Sequence, residues 1–247
     1  MDPIDNIIQE GKFDKGAFKA VIIVGGPNVG KTTISKLLNA DTRVMPRVYD
    51  ADKVFEYLSD KEDISIKDDK SAEVTNLYGR SRPINNRQLA HWVNEMHPLV
   101  VLLAPDNIAR LQHRIDLLED YGYDVKLIII KPTNIDNIVN TLSLRKRGVD
   151  PTWARQALEF TDEIIKHYKG KYDSMVIPNI QNIGIIELDK TVYFSTKFYN
   201  SPVKNPKGRK YLDALYNAPT TKRIADIDKD AMKNIDNWNK KPYLEPQ

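Results

Sequence analysis

One segment near the N-terminus, Val21–Thr33, restricts what this chain can fold into more than any other. Four β-branched residues run directly into a glycine-rich turn, and Ile34, Leu37 and Leu38 follow at helical spacing. The order strand, turn, helix is the one that a phosphate-binding loop requires, and Gly25–Thr32 matches G-x-x-x-x-G-K-[ST] at every fixed position. A chance glycine-rich turn would not bring both flanking elements with it, so the segment predicts a phosphate-binding site.

The chemistry of this loop follows from its backbone. Glycines allow a tight turn that aims several N–H groups inward, at the positive end of the following helix. Lys31 is expected to reach the β- and γ-phosphates of ATP or GTP, and the Thr32 hydroxyl to bind Mg²⁺. The residues predicted to bind the nucleotide are Gly25, Gly26, Pro27, Asn28, Val29, Gly30, Lys31, Thr32 and Thr33.

Composition excludes several other classes of protein. The 247 residues are 41% hydrophobic and 29% charged, which is typical of a globular chain long enough for one substantial domain. Cysteine is absent, so disulfides and thiolate metal sites are excluded. No apolar run approaches the roughly 18 residues of a membrane span, and the polar N-terminus does not resemble a secretory signal. A cytoplasmic location without membrane contact is therefore expected. The net charge of +3 permits a polyanionic partner without requiring one.

The pattern along the chain predicts a doubly wound α/β fold with a parallel sheet. Near-continuous apolar runs such as Leu99–Leu103 and Val125–Ile130 are typical of strands that are buried on both faces, and helical patterns separate them. After the helix that follows the glycine-rich turn, further helices are predicted at about 53–58 and 88–96. A mobile charged segment is predicted at 59–76 between these two. Short strands at 174–177 and 183–188 are expected to close the core.

The chain is predicted to divide near residue 190. Residues 1–190 would form the nucleotide-binding domain, and residues 191–247 a basic C-terminal appendage packed on it, beginning with a strand at 192–194. From residue 201 onward ten Lys or Arg and six Asp or Glu give this region a charge of +4. Its aromatic and aliphatic residues offer apolar anchors for packing.

Three carboxylates lie where ligands bind in open parallel sheets, beyond the carboxyl ends of the strands. Asp50 and Asp52 follow the second predicted strand, and either could accept the proton of an acceptor hydroxyl or orient that hydroxyl. Asp106 follows the strand Leu99–Leu103 and is a candidate for the magnesium side of the site. The alternative to a role in catalysis or binding is the same for all three residues: an aspartate directly before a helix can cap that helix.

Two groups of basic residues are candidates for contacts with phosphate. Arg145, Lys146 and Arg147 are consecutive in a predicted lid at about 141–155, where a guanidinium could stabilise charge on the transferring phosphoryl group. A solvated turn is the alternative. Arg80, Arg82 and Arg87 lie in the insertion between the second and third strands and could hold a substrate phosphate, although a solvated surface explains them as well.

The chain resembles the P-loop kinases grouped with the kinase domain of phage polynucleotide 5′-kinases and with zeta-toxin-like kinases. Three segments carry the resemblance: Gly25–Thr32, Val48–Asp52 and Arg145–Arg155. The resemblance covers roughly residues 20–170, and it implies that Asp52 is the general base and Arg147 the lid arginine. These kinases carry an arginine for substrate phosphate shortly after the base, whereas this chain has Phe55 there, which implies a different acceptor site.

These observations together predict a kinase that transfers the γ-phosphate of ATP to a hydroxyl group. The leading hypothesis for the acceptor is nucleic acid. The composition is phage-like, and some phages phosphorylate 5-hydroxymethyluracil in their DNA with a P-loop kinase, a task that a changed acceptor site and a basic appendage would suit. The alternatives are a small-molecule kinase acting on a nucleotide, nucleoside or nucleotide sugar, and a nucleotide-hydrolysing motor or switch. The sequence disfavours a motor, because no apolar strand ends in Asp-Glu.

Overall fold

The computed structural model describes residues 16–41, 44–68, 70–104 and 107–217. Within them, five parallel strands form one sheet in the order β2-β3-β1-β4-β5. The strands are β1 (Lys19–Val24), β2 (Arg47–Tyr49), β3 (Leu99–Leu103), β4 (Asp124–Lys131) and β5 (Ser174–Pro178). This architecture confirms the predicted doubly wound α/β fold.

Helices connect the strands and cover both faces of the sheet. They are α1 (Lys31–Asp41), α2 (Ala51–Glu62), α3 (Ala72–Asn94), α4 (Ile108–Asp120), α5 (Ile135–Asn140), α6 (Pro151–Glu159), α7 (Thr161–Tyr168), α8 (Ile185–Tyr199) and α9 (Pro206–Asn217), with a 3-10 turn at Thr141–Leu144. None of the helices in the described ranges combines the length and the apolar character needed to cross a bilayer.

Alternation along the central strand builds two cores. Ile22 and Val24 of β1 pack into the cluster on one face of the sheet, and Val21 and Ile23 into the cluster on the other. All four are fully buried, as expected for a strand that has helices on both sides. The parallel register of β1 with β3 and β4 brings the carboxyl ends of these strands to one edge, where the glycine-rich turn begins.

The insertion between β2 and β3 is more ordered than the sequence pattern predicted. Helix α2 extends to Glu62, and α3 begins at Ala72 and continues through Pro83, so the predicted mobile segment at 59–76 and the helix start near residue 88 were wrong. The reason is a small separate core, in which Ile66 and Val74 bury their side chains against Phe55 and Leu77. Apolar residues so widely spaced in a charged sequence leave no clear periodic signal.

The strands predicted at 183–188 and 192–194 were also wrong, because residues 185–199 form helix α8 and the first two residues of the earlier range precede it. Its buried positions Thr191, Ser195 and Phe198 recur at helical spacing, whereas the local run of β-branched residues favoured a strand. The domain division predicted at residue 190 falls inside this helix. The Tyr199 hydroxyl donates a hydrogen bond of 2.8 Å to the Leu99 carbonyl, so the end of α8 is joined to the sheet. Residues 218–247 of the predicted appendage lie outside the described residues.

A buried lysine joins the segment after α8 to the first strand. Lys19 is 1% exposed, and its Nζ donates to Asp124 Oδ2 at 2.6 Å and to the Pro202 carbonyl at 2.8 Å. Burial lowers the pKa of Lys19, and the hydrogen bond and charge of Asp124 oppose that effect. This ion pair explains a charged residue at the start of an otherwise apolar strand.

Candidate active site

The glycine-rich turn between β1 and α1 wraps around the side chain of Lys31. The ammonium donates hydrogen bonds to the carbonyl oxygens of Gly25, at 2.8 Å, and Gly26, at 2.7 Å. Asn28 has φ 62° and Gly30 has φ 98°, both in the left-handed region that a tight turn uses. The turn thus has the curvature of an anion-binding loop at a helix N-terminus.

Close packing on two sides restricts the turn. A Cβ atom on Gly30 would lie 2.5 Å from the Cβ of Ile180, and one on Gly26 would lie 2.7 Å from a methyl carbon of Leu158. The turn is therefore packed against two elements. Ile180, in the loop after β5, contacts Gly30, and Leu158 of helix α6 contacts Gly26. From the lid side, Thr141 accepts a hydrogen bond of 2.8 Å from the Asn28 side chain.

The environment of Lys31 fits a phosphate ligand. Desolvation lowers the pKa of Lys31 to about 8, opposed chiefly by the negative charge of Asp52. Both hydrogen-bond acceptors of its ammonium are neutral carbonyls. A desolvated cation without a bonded anion is a site that an anionic group would stabilise. The Thr32 side chain is exposed at the same helix end and is accessible to a metal ion. Among the residues described, no group of three His, Cys, Asp or Glu side chains forms a metal site.

The two aspartates after β2 have different surroundings. Asp50 is the N-cap of α2, and its side chain accepts a hydrogen bond of 3.2 Å from the Asp52 amide. Burial raises the pKa of Asp50, and the neighbouring Asp52 carboxylate adds to the effect. This is the helix-capping alternative stated for Asp50. Asp52, in the first turn of α2, directs its carboxylate at the lid.

The lid arginines both contact Asp52. Arg147 forms a short ion pair with Asp52 Oδ1, and Arg145 Nη2 lies 3.5 Å from Oδ2. The charges of Asp52 and Arg145 both act on Lys31, so the structure brings together Lys31, Asp52, Arg145 and Arg147. These residues come from three separate parts of the chain, and all were candidates from the sequence.

Sequence reasoning missed the residues that support this cluster. The Arg147 guanidinium lies over the Phe55 ring, 4.9 Å from its centroid, and 5.6 Å from the centroid of Tyr78. Asn85, in the middle of α3, donates a hydrogen bond of 3.1 Å to the carbonyl of Ala51, between the two aspartates. No sequence motif marks Tyr78 or Asn85, and Phe55 stands out in the sequence only because these kinases carry an arginine shortly after the base.

The lid is docked onto residues 64–68 and Lys70 of the insertion. The Gly148 amide donates a hydrogen bond of 2.7 Å to the Ile66 carbonyl, and Lys67 Nζ donates to the Ser143 carbonyl at 3.1 Å. Lys70 and Asp150 form an ion pair of 3.2 Å on the exposed rim. The lid and the insertion therefore form one continuous cover beside Asp52.

Replacing Gly148 with alanine is expected to detach the lid from this segment. A Cβ at this position would overlap the Lys67 carbonyl oxygen, and relieving such overpacking costs about 1–3 kcal/mol. Trypsin should then cleave the 145–147 run faster than in the unsubstituted protein. Gly79→Ala is the matched control, because nothing lies within 4 Å of its Cβ and alanine favours the helix by up to about 1 kcal/mol. Equal cleavage rates in the two variants would contradict the docking.

The remaining predicted site residues do not join the cluster around Asp52. Arg80 forms a bidentate ion pair with Glu62, with distances of 2.9 and 2.6 Å. Arg82 lies over the Tyr78 ring at 4.5 Å, and Arg87 is exposed on α3. Asp106 lies outside the described residues. The suggested role of the three arginines in binding substrate phosphate stays a prediction.

Comparison with solved structures finds other proteins with this fold. A presumed kinase of Chloroflexus aurantiacus matches 73% of this chain and 98% of its own, at 16% identity and a TM-score of 0.51. Two further structures are more distant. The PezAT toxin–antitoxin system of Streptococcus pneumoniae matches 94% of this chain and 92% of its own, at 12% identity and a TM-score of 0.46. Shikimate kinase of Acinetobacter baumannii matches 75% of this chain and 93% of its own, at 15% identity and a TM-score of 0.44. No family model and no curated protein sequence matches the chain. At these identities the likeness establishes the fold.

Proposed function

We propose that this protein is a kinase that transfers the γ-phosphate of ATP or GTP to a hydroxyl group. The observation that carries the proposal is the convergence of the Lys31 turn with the Asp52 carboxylate and the two lid arginines at one edge of the sheet. The kinase fold supports the same reading. A protein that only binds nucleotide would need the phosphate-binding turn. It would not need a carboxylate paired with two arginines beside that turn.

Each residue has a role in the proposed reaction. The turn amides and Lys31 bind the β- and γ-phosphates of the donor. Asp52 accepts the proton of the acceptor hydroxyl while the new oxygen–phosphorus bond forms and the bond to the β-phosphate oxygen breaks, releasing ADP or GDP. Positive charge from the lid stabilises the transferring phosphoryl group, and a docked lid excludes water.

Magnesium is the implied cofactor, and the Thr32 hydroxyl is the protein group that would bind it. The ion, when bound, neutralises charge on the β- and γ-phosphates. The exposed Thr32 side chain beside a desolvated lysine fits this role.

For the acceptor we favour a small molecule such as a nucleotide, nucleoside or nucleotide sugar. The lid and residues 64–68 of the insertion cover the acceptor side of Asp52, which suits an acceptor small enough to be enclosed. The arginines expected to follow a nucleic-acid backbone, Arg80, Arg82 and Arg87, lie exposed on α3 and do not converge with Asp52. Nucleic acid, including a hydroxymethylated base in DNA, is the competing acceptor.

Incubation with γ-labelled ATP and a mixed panel of acceptors tests the proposal. The panel should hold nucleosides, nucleotides, nucleotide sugars, and DNA with and without 5-hydroxymethyluracil. We expect label in a small-molecule product, with an apparent affinity that changes little with salt. Label in DNA, with affinity that falls steeply as salt rises because counterions are released, would establish the competing acceptor. Label found only as free phosphate would favour a hydrolytic motor or switch.

A further inference from the structure

The two lid arginines are held in different ways, although both contact Asp52. We infer that Arg147 is a positioning residue that stays with Asp52 on the acceptor side, and that Arg145 is the arginine that moves to the donor phosphate. This inference rests on the proposed kinase function. It also reverses the sequence-based expectation, in which Arg147 was the preferred catalytic arginine of the lid.

Arg147 is enclosed by the insertion on several sides. Its guanidinium pairs with Asp52 and lies against the rings of Phe55 and Tyr78, which themselves pack edge to face at 6.0 Å. Its Nε atom is buried and has no hydrogen-bond acceptor within the described parts of the chain. Moving this side chain to a phosphate would break the ion pair and both ring contacts, and would leave the half-buried Asp52 carboxylate with the 3.5 Å contact to Arg145 alone among the described ion pairs.

The backbone next to Arg147 is restricted as well. Gly148 is hydrogen-bonded to Ile66 and packed so closely on Lys67 that no Cβ fits. Arg147 therefore belongs structurally to the insertion more than to a freely moving lid. Its position suits a residue that keeps the Asp52 carboxylate in one orientation toward an acceptor hydroxyl.

The side chain of Arg145 has weaker attachments and a better location for the donor, while its backbone carbonyl accepts a hydrogen bond from Lys67. Its contact with Asp52 is 3.5 Å long, at the outer limit of a hydrogen bond, and it stacks on no aromatic ring of the described residues. Its charge acts on Lys31, the residue that faces the phosphates. An incoming γ-phosphate carries more negative charge than the single carboxylate that now attracts Arg145. A guanidinium released from one weak contact can bind that phosphate in a bidentate manner.

The test compares binding of Mg·ADP with binding of Mg·ADP plus aluminium fluoride, a mimic of the transferring phosphoryl group, so that no acceptor is needed. Calorimetry should show that the fluoride tightens ADP binding to the unsubstituted protein. Arg145→Met should lose at least about tenfold of this tightening, because it removes a donor to the transition state. Arg147→Met should keep the tightening within about threefold, and should lower the kcat for phosphate transfer to water without changing the KM for ATP.

Lys146→Met is the matched control, because it removes one charge from the same run and Lys146 forms an ion pair with Asp60 on the surface. If Arg147→Met fails to fold, Arg147→Lys replaces it with the same expectation for the tightening. Equal losses in both arginine variants, or a loss confined to Arg147, would overturn the inference. A protein that binds Mg·ADP without any tightening by fluoride would also overturn it while leaving the donor site intact. A failure to bind Mg·ADP at all would instead refute the proposed function.

Discussion

Lys31→Ala is expected to lower phosphate transfer by about 10³-fold and to weaken binding of the donor nucleotide as well. The Lys31 ammonium is the cation around which the turn is folded, with the Gly25 and Gly26 carbonyls as its acceptors. Alanine removes both the charge that faces the phosphates and the hydrogen bonds that shape the loop. Steady-state transfer and binding of a non-hydrolysable ATP analogue should both be measured.

The control for this variant is Lys36→Ala, which removes the same charge from an exposed position of the same helix. We expect transfer and analogue binding by Lys36→Ala to stay near those of the unsubstituted protein. If Lys31→Ala retained transfer within about tenfold, the glycine-rich turn would not be the donor site, and the proposed function would be lost.

Asp52→Asn is expected to lower transfer by about 10²–10⁴-fold while ATP-analogue binding stays intact. Asparagine keeps the size of the side chain but cannot accept the proton of the acceptor hydroxyl. The separation of catalysis from donor binding distinguishes this variant from Lys31→Ala. Because Asp52 also pairs with Arg147, a thermal unfolding curve must accompany the kinetics to show that the variant is folded.

Asp60→Asn provides the matched control, since Asp60 lies two turns further along α2, is exposed, and pairs with a lysine of the same lid. We expect it to leave transfer almost unchanged. Normal turnover by Asp52→Asn would show that another group serves as the base. Asp50 would be the nearest candidate, although its carboxylate is occupied in capping α2.

Much of the fold was predictable because the strands are buried on both faces. Such strands contain near-continuous apolar runs, and β1, β3 and β4 were recognised in this way. The errors occurred where local pattern and tertiary packing disagree. The sequence around Ile183–Leu188 is rich in β-branched residues, yet its neighbours bury a helical face at Thr191 and Ser195. Pro83 indicated a helix start, yet α3 continues through it.

The candidate site was predictable to the extent that its residues carry a local signature. The glycine-rich turn has a fixed spacing of glycines and lysine. Asp52 and the lid arginines lie in segments that resemble those of known kinases. Tyr78, Asn85 and Lys67 have no such signature, because each acts on a residue far away in sequence. Their roles depend on how the insertion folds back over the strand ends, which a periodic pattern cannot encode.

The sequence by itself determined the sheet, the phosphate-binding turn and the set of charged groups available for chemistry. These follow from short-range rules, namely burial of apolar runs, glycine conformations and helix ends. Only the tertiary structure decided that Asp50 caps a helix while Asp52 meets both lid arginines, and that Arg147 rests on Phe55 and Tyr78. Pairing between charges some 95 residues apart depends on the three-dimensional path of the insertion and the lid, and on the free energy of burying them together.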